Sequence, residues 1–221
     1  MIQIKIDQSF VRDMLDDPDD LAILDGVIGL CVAFHRQVIA EGVETLEQGQ
    51  MLLQLGCELA QGYGIARPMP AADIPSWVAT WRPDPVWVEC AVVSRDAVPL
   101  LFAGAAHRAW IAAVEGYLRG ERDAAPPLDD LQPCFGIWLD PEGPGRHGAR
   151  HAFQAIEAVH QRVQARAVAL CELRAQGRHL DALAGLGELR ELRDAVLEQL
   201  KTLVQVNPGA ARPFSLSDGC A

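Results

Sequence analysis

The sequence predicts two kinds of structure in series, α/β over residues 1–82 and all-α over residues 97–206. Three observations carry that division. Short apolar runs ending in polar residues recur at Ile4-Lys5-Ile6-Asp7, at Val38-Ile39-Ala40-Glu41 and on to Thr45, and at Ala60-Gln61-Gly62-Tyr63-Gly64, with helical segments between them. Two prolines within Trp81–Trp87 then break the alternation. Beyond about residue 97, apolar residues recur at helical spacing and end in a leucine series at 183, 186, 189 and 192.

Residues 2–6 read as a buried strand. Asp17 caps the next helix, Pro18 suits its first position, and Asp19 and Asp20 complement the positive end of its dipole. Leu24, Val27, Ile28, Cys31 and Phe34 follow at helical spacing, with enough further apolar residues to predict burial on more than one side. Residues 38–40 form the second strand. Thr45 and Gln48 make a capping box for a helix over Met51, Leu52 and Leu55 that stops at Gly56. Residues 57–60 form the third strand, and a short helix covers residues 74–78. Strand–helix repeated in this way predicts a parallel sheet with crossover helices.

Pro83 and Pro85 favour an extended connection, so residues 83–96 are read as a linker. Helices are predicted over 97–119, 149–175 and 179–205, packed as an antiparallel bundle. Gly177 separates the last two. Residues 120–148 are rich in Pro, Gly and Asp around an apolar island, Cys134-Phe135-Gly136-Ile137-Trp138-Leu139. Residues 207–221 read as a loose tail.

Composition narrows the function classes. The chain has 221 residues, half of them apolar, which is enough for packed cores and against wholesale disorder. A formal net charge of -11 argues against binding nucleic-acid polymers or anionic membranes, which need clustered Lys and Arg. Six irregularly spaced cysteines and no Cys-x-x-Cys pair suggest no disulfide framework. No secretory signal and no bilayer-spanning segment are read, so the expected compartment is the cytoplasm.

Lys5, Glu41 and Gln61 lie at or near strand ends. In a parallel barrel such ends converge on one mouth and share a ligand. A lysine there can hold a phosphate or position water, and a glutamate can bind a divalent metal or take a proton. The same residues also fit a plainer reading as solvated strand ends.

Residues 2–80 resemble the C-terminal third of an EAL-type cyclic-di-GMP phosphodiesterase. The resemblance rests on Ile4 to Val11, on Val38 to Thr45 with its Glu41-Gly42-Val43-Glu44 core, and on Leu55 to Met69 with Gln61-Gly62-Tyr63-Gly64. It implies the last three strand–helix units of a (β/α)8 barrel. It implies that Lys5 meets the hydrolytic water or scissile phosphate and that Glu41 lies near the metals, Mg or Mn in the complete enzyme. Gln61 would line the site, and Glu44 would support its loop. The family's Glu-Ala-Leu strand, its other metal-binding acids and its Asp-Asp-Phe-Gly segment precede the position of Lys5 and have no counterpart here. The expectation is therefore a piece of a longer phosphodiesterase that does not hydrolyse cyclic-di-GMP by itself.

His107, Cys134 and His160 form the second constellation. Imidazole and thiolate are the preferred zinc ligands, and helices of a bundle can aim them at one interior point. A buried cysteine with two partly buried histidines is the plainer alternative. Residues 97–204 resemble the CZB (chemoreceptor zinc-binding) domain through His107-Arg108-Ala109-Trp110, the Cys134–Leu139 island, and Phe153 to Val163. The resemblance implies zinc held by His107, Cys134 and His160. The family's fourth ligand, a histidine, falls on Gln164, so Gln164, water, or another histidine such as His147 or His179 would complete the set. His151 is set two and a half turns from His160, on the opposite side of a straight helix. The resemblance and the leucine-rich last helix also imply a homodimer.

Overall fold

The computed structural model describes residues 3–128 and 149–206. The chain divides into two compact units, the larger parts of which are Asp19–Arg95 and Asp96–Asn207. The Cys134–Leu139 island, His147 and the tail over 207–221 lie outside the described residues.

In the first unit, β1 (Gln3–Ile6), β2 (Gln37–Glu41) and β3 (Leu59–Gln61) form a parallel sheet in the order β1-β2-β3. Between β1 and β2 lie α1 (Gln8–Asp13) and α2 (Pro18–Ala33), and α3 (Leu46–Leu55) joins β2 to β3. The registers pair Ile4 with Val38, Ile6 with Ala40, and Ala40 with Ala60. Side chains alternate across a strand. One face of the sheet therefore carries Ile6, Val38 and Ala40, all buried. The other carries Lys5, Ile39, Glu41, Leu59 and Gln61. This second face has little cover: Leu59 is 41% exposed.

Local chemistry sets the helix ends. The Asp7 carboxylate accepts from the Ser9 N–H at 2.8 Å and caps α1. Thr45 and Gln48 form the capping box of α3. The Gln48 amide also donates to the Arg12 carbonyl at 3.3 Å, tying α3 to the end of α1.

Two expectations need correction here. Helix α2 buries Leu21, Leu24, Ile28 and Cys31 on one side, but Leu30 and Phe34 stay 59% and 69% exposed. Burial on more than one side is thus not met among the described residues. The link after Trp81 is not wholly extended either. After α4 (Ile74–Thr80), Asp84 caps a one-turn helix α5 (Pro85–Val88), accepting from the Val86 N–H at 2.9 Å. Proline at the first helical position is favourable because it has no N–H to leave unsatisfied. The Trp87 indole then donates to the Leu46 carbonyl at 2.9 Å and lies over Gly49, where any side chain would clash.

The second unit contains α6 (Val98–Arg119), α7 (Ala149–Ala175), α8 (His179–Ala184) and α9 (Leu186–Val206). The predicted last helix is thus interrupted at Gly185, where a Cβ would fall 2.3 Å from Leu170. His107 faces His160 and Leu118 faces Arg174, so α6 and α7 run in the same direction. Glu115 meets Arg190 and Gly104 meets Leu197, so α9 runs against α6. The antiparallel packing expected of the bundle is therefore not met by the α6–α7 pair. Leu189, Val196, Leu200 and Leu203 bury against this unit's own core, whereas Leu180 is 83% exposed.

The sequence reading of no bilayer-length apolar segment is corrected by residues 95–119, whose mean hydropathy reaches 1.4 over an 18-residue window. Half of that window is buried inside the unit, and the segment includes His107 and Glu115. Its apolarity is that of a core helix.

Candidate functional site

The strand-end cluster follows from register. Lys5 lies opposite Ile39, and Glu41 is two residues further along on the same face. Gln61 is the direct partner of Glu41. The Lys5 ammonium and the Glu41 carboxylate form an ion pair, and the Gln61 amide donates to Glu41 Oε1 at 3.2 Å. The three expected residues are thus brought together. Lys5 keeps 56% of its side chain exposed and Glu41 keeps 25%.

Glu44 is also exposed, and its backbone rather than its carboxylate ties the loop: its N–H donates to Gln48 Oε1 at 2.9 Å. Sequence reasoning missed the stronger fastening, at Val43. The Val43 N–H donates to the Gln61 carbonyl at 3.0 Å, and the Gly64 N–H donates to the Val43 carbonyl at 2.9 Å. A Cβ on Gly62 would lie 2.1 Å from Val43 O, and one on Gly64 would lie 2.9 Å from the Glu44 carbonyl carbon. The two glycines therefore allow the loops after β2 and β3 to close on each other. Their flanking of Tyr63 was the available signal.

Asp7, the remaining acid of the β1 run, is occupied as a helix cap. The Ser9 N–H holds its carboxyl below the usual range. Cys57 has the opposite character: burial pushes its thiol up to about 11, so it stays protonated and inert.

In the helical unit, buried residues of α6 recur at 100, 103, 107, 111, 114 and 118, and those of α7 at 156, 163, 167 and 170. His107 occupies a core position of the first series, and His160 falls at the matching point of the second. The two rings lie 5.8 Å apart between centroids, with their planes inclined by 57°. His107 is fully buried, and among the described residues neither ring nitrogen has a hydrogen-bond partner. Burial, the neighbouring His160 and the Arg193 charge push it down to about 3, so it is neutral. Burial also lowers His160, while Glu157 acts the other way.

Gln164 lies one turn beyond His160 and donates its amide N–H to the Leu128 carbonyl at 2.7 Å. The Trp110 indole donates to the Pro127 carbonyl at 2.9 Å. Both side chains thus pin the chain just before the segment that contains Cys134. His179 is exposed at the start of α8. Among the described residues no group of three or more His, Cys, Asp or Glu side chains converges.

Comparison with known proteins finds likenesses for the first of these two regions. Residues 1–68 match the EAL domain family. The oxygen sensor protein DosP of Escherichia coli (strain K12) is 42% identical over 81 residues, which is 37% of this chain and 10% of that protein. The cyclic di-GMP phosphodiesterase RocR of Pseudomonas aeruginosa is 46% identical over 68 residues, covering 31% of this chain and 17% of RocR. A solved structure described as "PaMucR Phosphodiesterase, c-di-GMP complex" shares 39% identity over 33% of this chain and 29% of that one, with a TM-score of 0.32. This chain therefore spans 10–17% of the length of these curated relatives.

Proposed function

We propose that the strand-end cluster is part of a cyclic-di-GMP phosphodiesterase site and that the helical unit is a zinc-binding regulatory module of CZB type. The observation that carries the first half is the convergence of Lys5, Glu41 and Gln61 on one uncovered sheet face inside the EAL match. In this reading Lys5 holds a phosphate oxygen, Glu41 helps to hold a divalent ion, and Gln61 orients Glu41 by its amide. EAL phosphodiesterases use divalent metals, which activate water and stabilise the leaving oxygen. Such a pair of ions needs several carboxylates. Glu41 is instead shared between Lys5 and Gln61, and no further acid joins it among the described residues. The chain is therefore expected to bind the cyclic dinucleotide without turning it over. A hydrolysis assay with Mg²⁺ or Mn²⁺ tests this.

For the zinc reading, the residues present fit the ion. His107 is neutral, buried and without a hydrogen-bond partner among the described residues, as a ligand awaiting a metal would be. Two imidazoles on one tetrahedral ion at Zn–N of ~2.0–2.1 Å place their centroids roughly 5–6 Å apart, and the observed spacing matches. Cys134, six residues after the pinned Leu128, would supply the thiolate, whose negative charge would offset Arg193. Gln164 can keep its amide N–H on the Leu128 carbonyl while its oxygen faces the ion, so Gln164 Oε1 or water would complete the set. Metal analysis of dialysed wild-type and His107→Ala protein tests this reading. Oxidation of Cys134 would release the ion and give the module a redox response. The exposed Leu180 and Leu183 support homodimerisation through α8, and light scattering tests it.

A further inference from the structure

We infer that Tyr63 and Arg67 form the nucleobase platform of the strand-end site, on which a guanine of the bound dinucleotide stacks; the inference rests on the nucleotide reading above. Four observations support it. Tyr63 is 56% exposed, so its ring adds little to the core of its unit. It is nonetheless held firmly, because it sits between Gly62 and Gly64, the residues that close onto Val43. The Ile65 and Ala66 N–H groups both donate to the Gly62 carbonyl at 3.0 Å, completing a compact turn beneath it. Lastly, the Arg67 guanidinium stands over the ring, 5.0 Å from its centroid.

Tyr63 follows Gln61 by two residues, at most about 7 Å along the chain. A base attached to a phosphate at Lys5 is therefore within reach of it. An exposed aromatic ring paired with a guanidinium plane is the kind of surface on which nucleobases stack, since every base presents a π face. Lys5 and Gln61 provide no such surface. The division of labour is clear: the strand ends take the phosphodiester and the Tyr63–Arg67 pair takes the base. Phe would preserve this role, because stacking uses the ring and not the hydroxyl.

The test is a ligand-observed NMR titration of the full chain with cyclic-di-GMP, using guanosine as competitor. Tyr63→Ala should weaken binding about tenfold or more, and Tyr63→Phe should stay within about twofold of wild type. Guanosine should displace the dinucleotide from wild type and not from Tyr63→Ala. An unchanged melting curve for Tyr63→Ala, expected for an exposed side chain, excludes a folding artefact. Wild-type affinity in Tyr63→Ala, with guanosine still competing, overturns the platform and leaves the nucleotide reading standing. No binding by wild type overturns both.

Discussion

The two candidate sites solve opposite problems. Lys5, Glu41 and Gln61 sit on an uncovered sheet face where water can hydrate them, and they satisfy one another. His107 sits in the core stripe of a helix, fully buried, and no described group satisfies its nitrogens. A solvated polar cluster costs little to keep without a ligand. A buried unsatisfied imidazole costs about 1–3 kcal/mol, so it demands a partner. Ligand removal should therefore barely affect the stability of the first unit and should strongly affect the second.

The largest expected effect sharpens that contrast. Free zinc at about 100 times its Kd should stabilise the protein by about 2.7 kcal/mol. In a unit of about 100 residues this is a rise of roughly 10 °C or more in Tm. Chelation should abolish it, and His107→Ala should melt alike with and without zinc, as read by calorimetry. Equal Tm values for zinc-loaded and chelated wild type would break the comparison.

Next in size is Gly62→Ala. Its Cβ would press on the Val43 carbonyl, a backbone atom that cannot swing aside. A loss of about 1–3 kcal/mol is expected in urea unfolding of the first unit. The charged cluster of the second unit gives a similar or smaller effect. Glu115 accepts from Arg190 at 2.7 and 2.9 Å and from Arg119 at 2.6 Å, and these cations hold its carboxyl below the usual range. A carboxyl lowered on folding contributes stability above its unfolded value near 4.5, and that contribution disappears as pH falls through the folded value. Acid melts below pH 4.5 should therefore lose stability faster in wild type than in Glu115→Gln. Smallest is Lys5→Met, whose exposed ion pair contributes about 0–1 kcal/mol. Its melt should hardly move while cyclic-di-GMP binding falls.

The sequence made the solvated site legible because strand ends, registers and the Gly62-Tyr63-Gly64 text are all local. Helix α3 was equally clear from Thr45, Gln48 and Gly56. The tertiary relations were not legible. Nothing in the Leu183–Leu192 series says that it packs within its own unit, nor that α6 and α7 run in parallel. Leu30 and Phe34 misled for a related reason, since periodicity reports apolar character and not the presence of a cover. Arg193 near His107 was invisible because it arrives from another helix. Pro85 shows two local rules acting together: Asp84 is extended, as the residue before proline prefers, and that same geometry lets it cap α5.

The strand-end cluster is proposed to hold a phosphodiester without an acidic metal cradle of its own. It is tested most directly by incubating the purified chain with cyclic-di-GMP and Mg²⁺ or Mn²⁺ and separating the products by chromatography. Intact cyclic dinucleotide is expected at all times, with Lys5→Met indistinguishable from wild type. Metal-dependent appearance of the linear dinucleotide, lost in Lys5→Met, would contradict it.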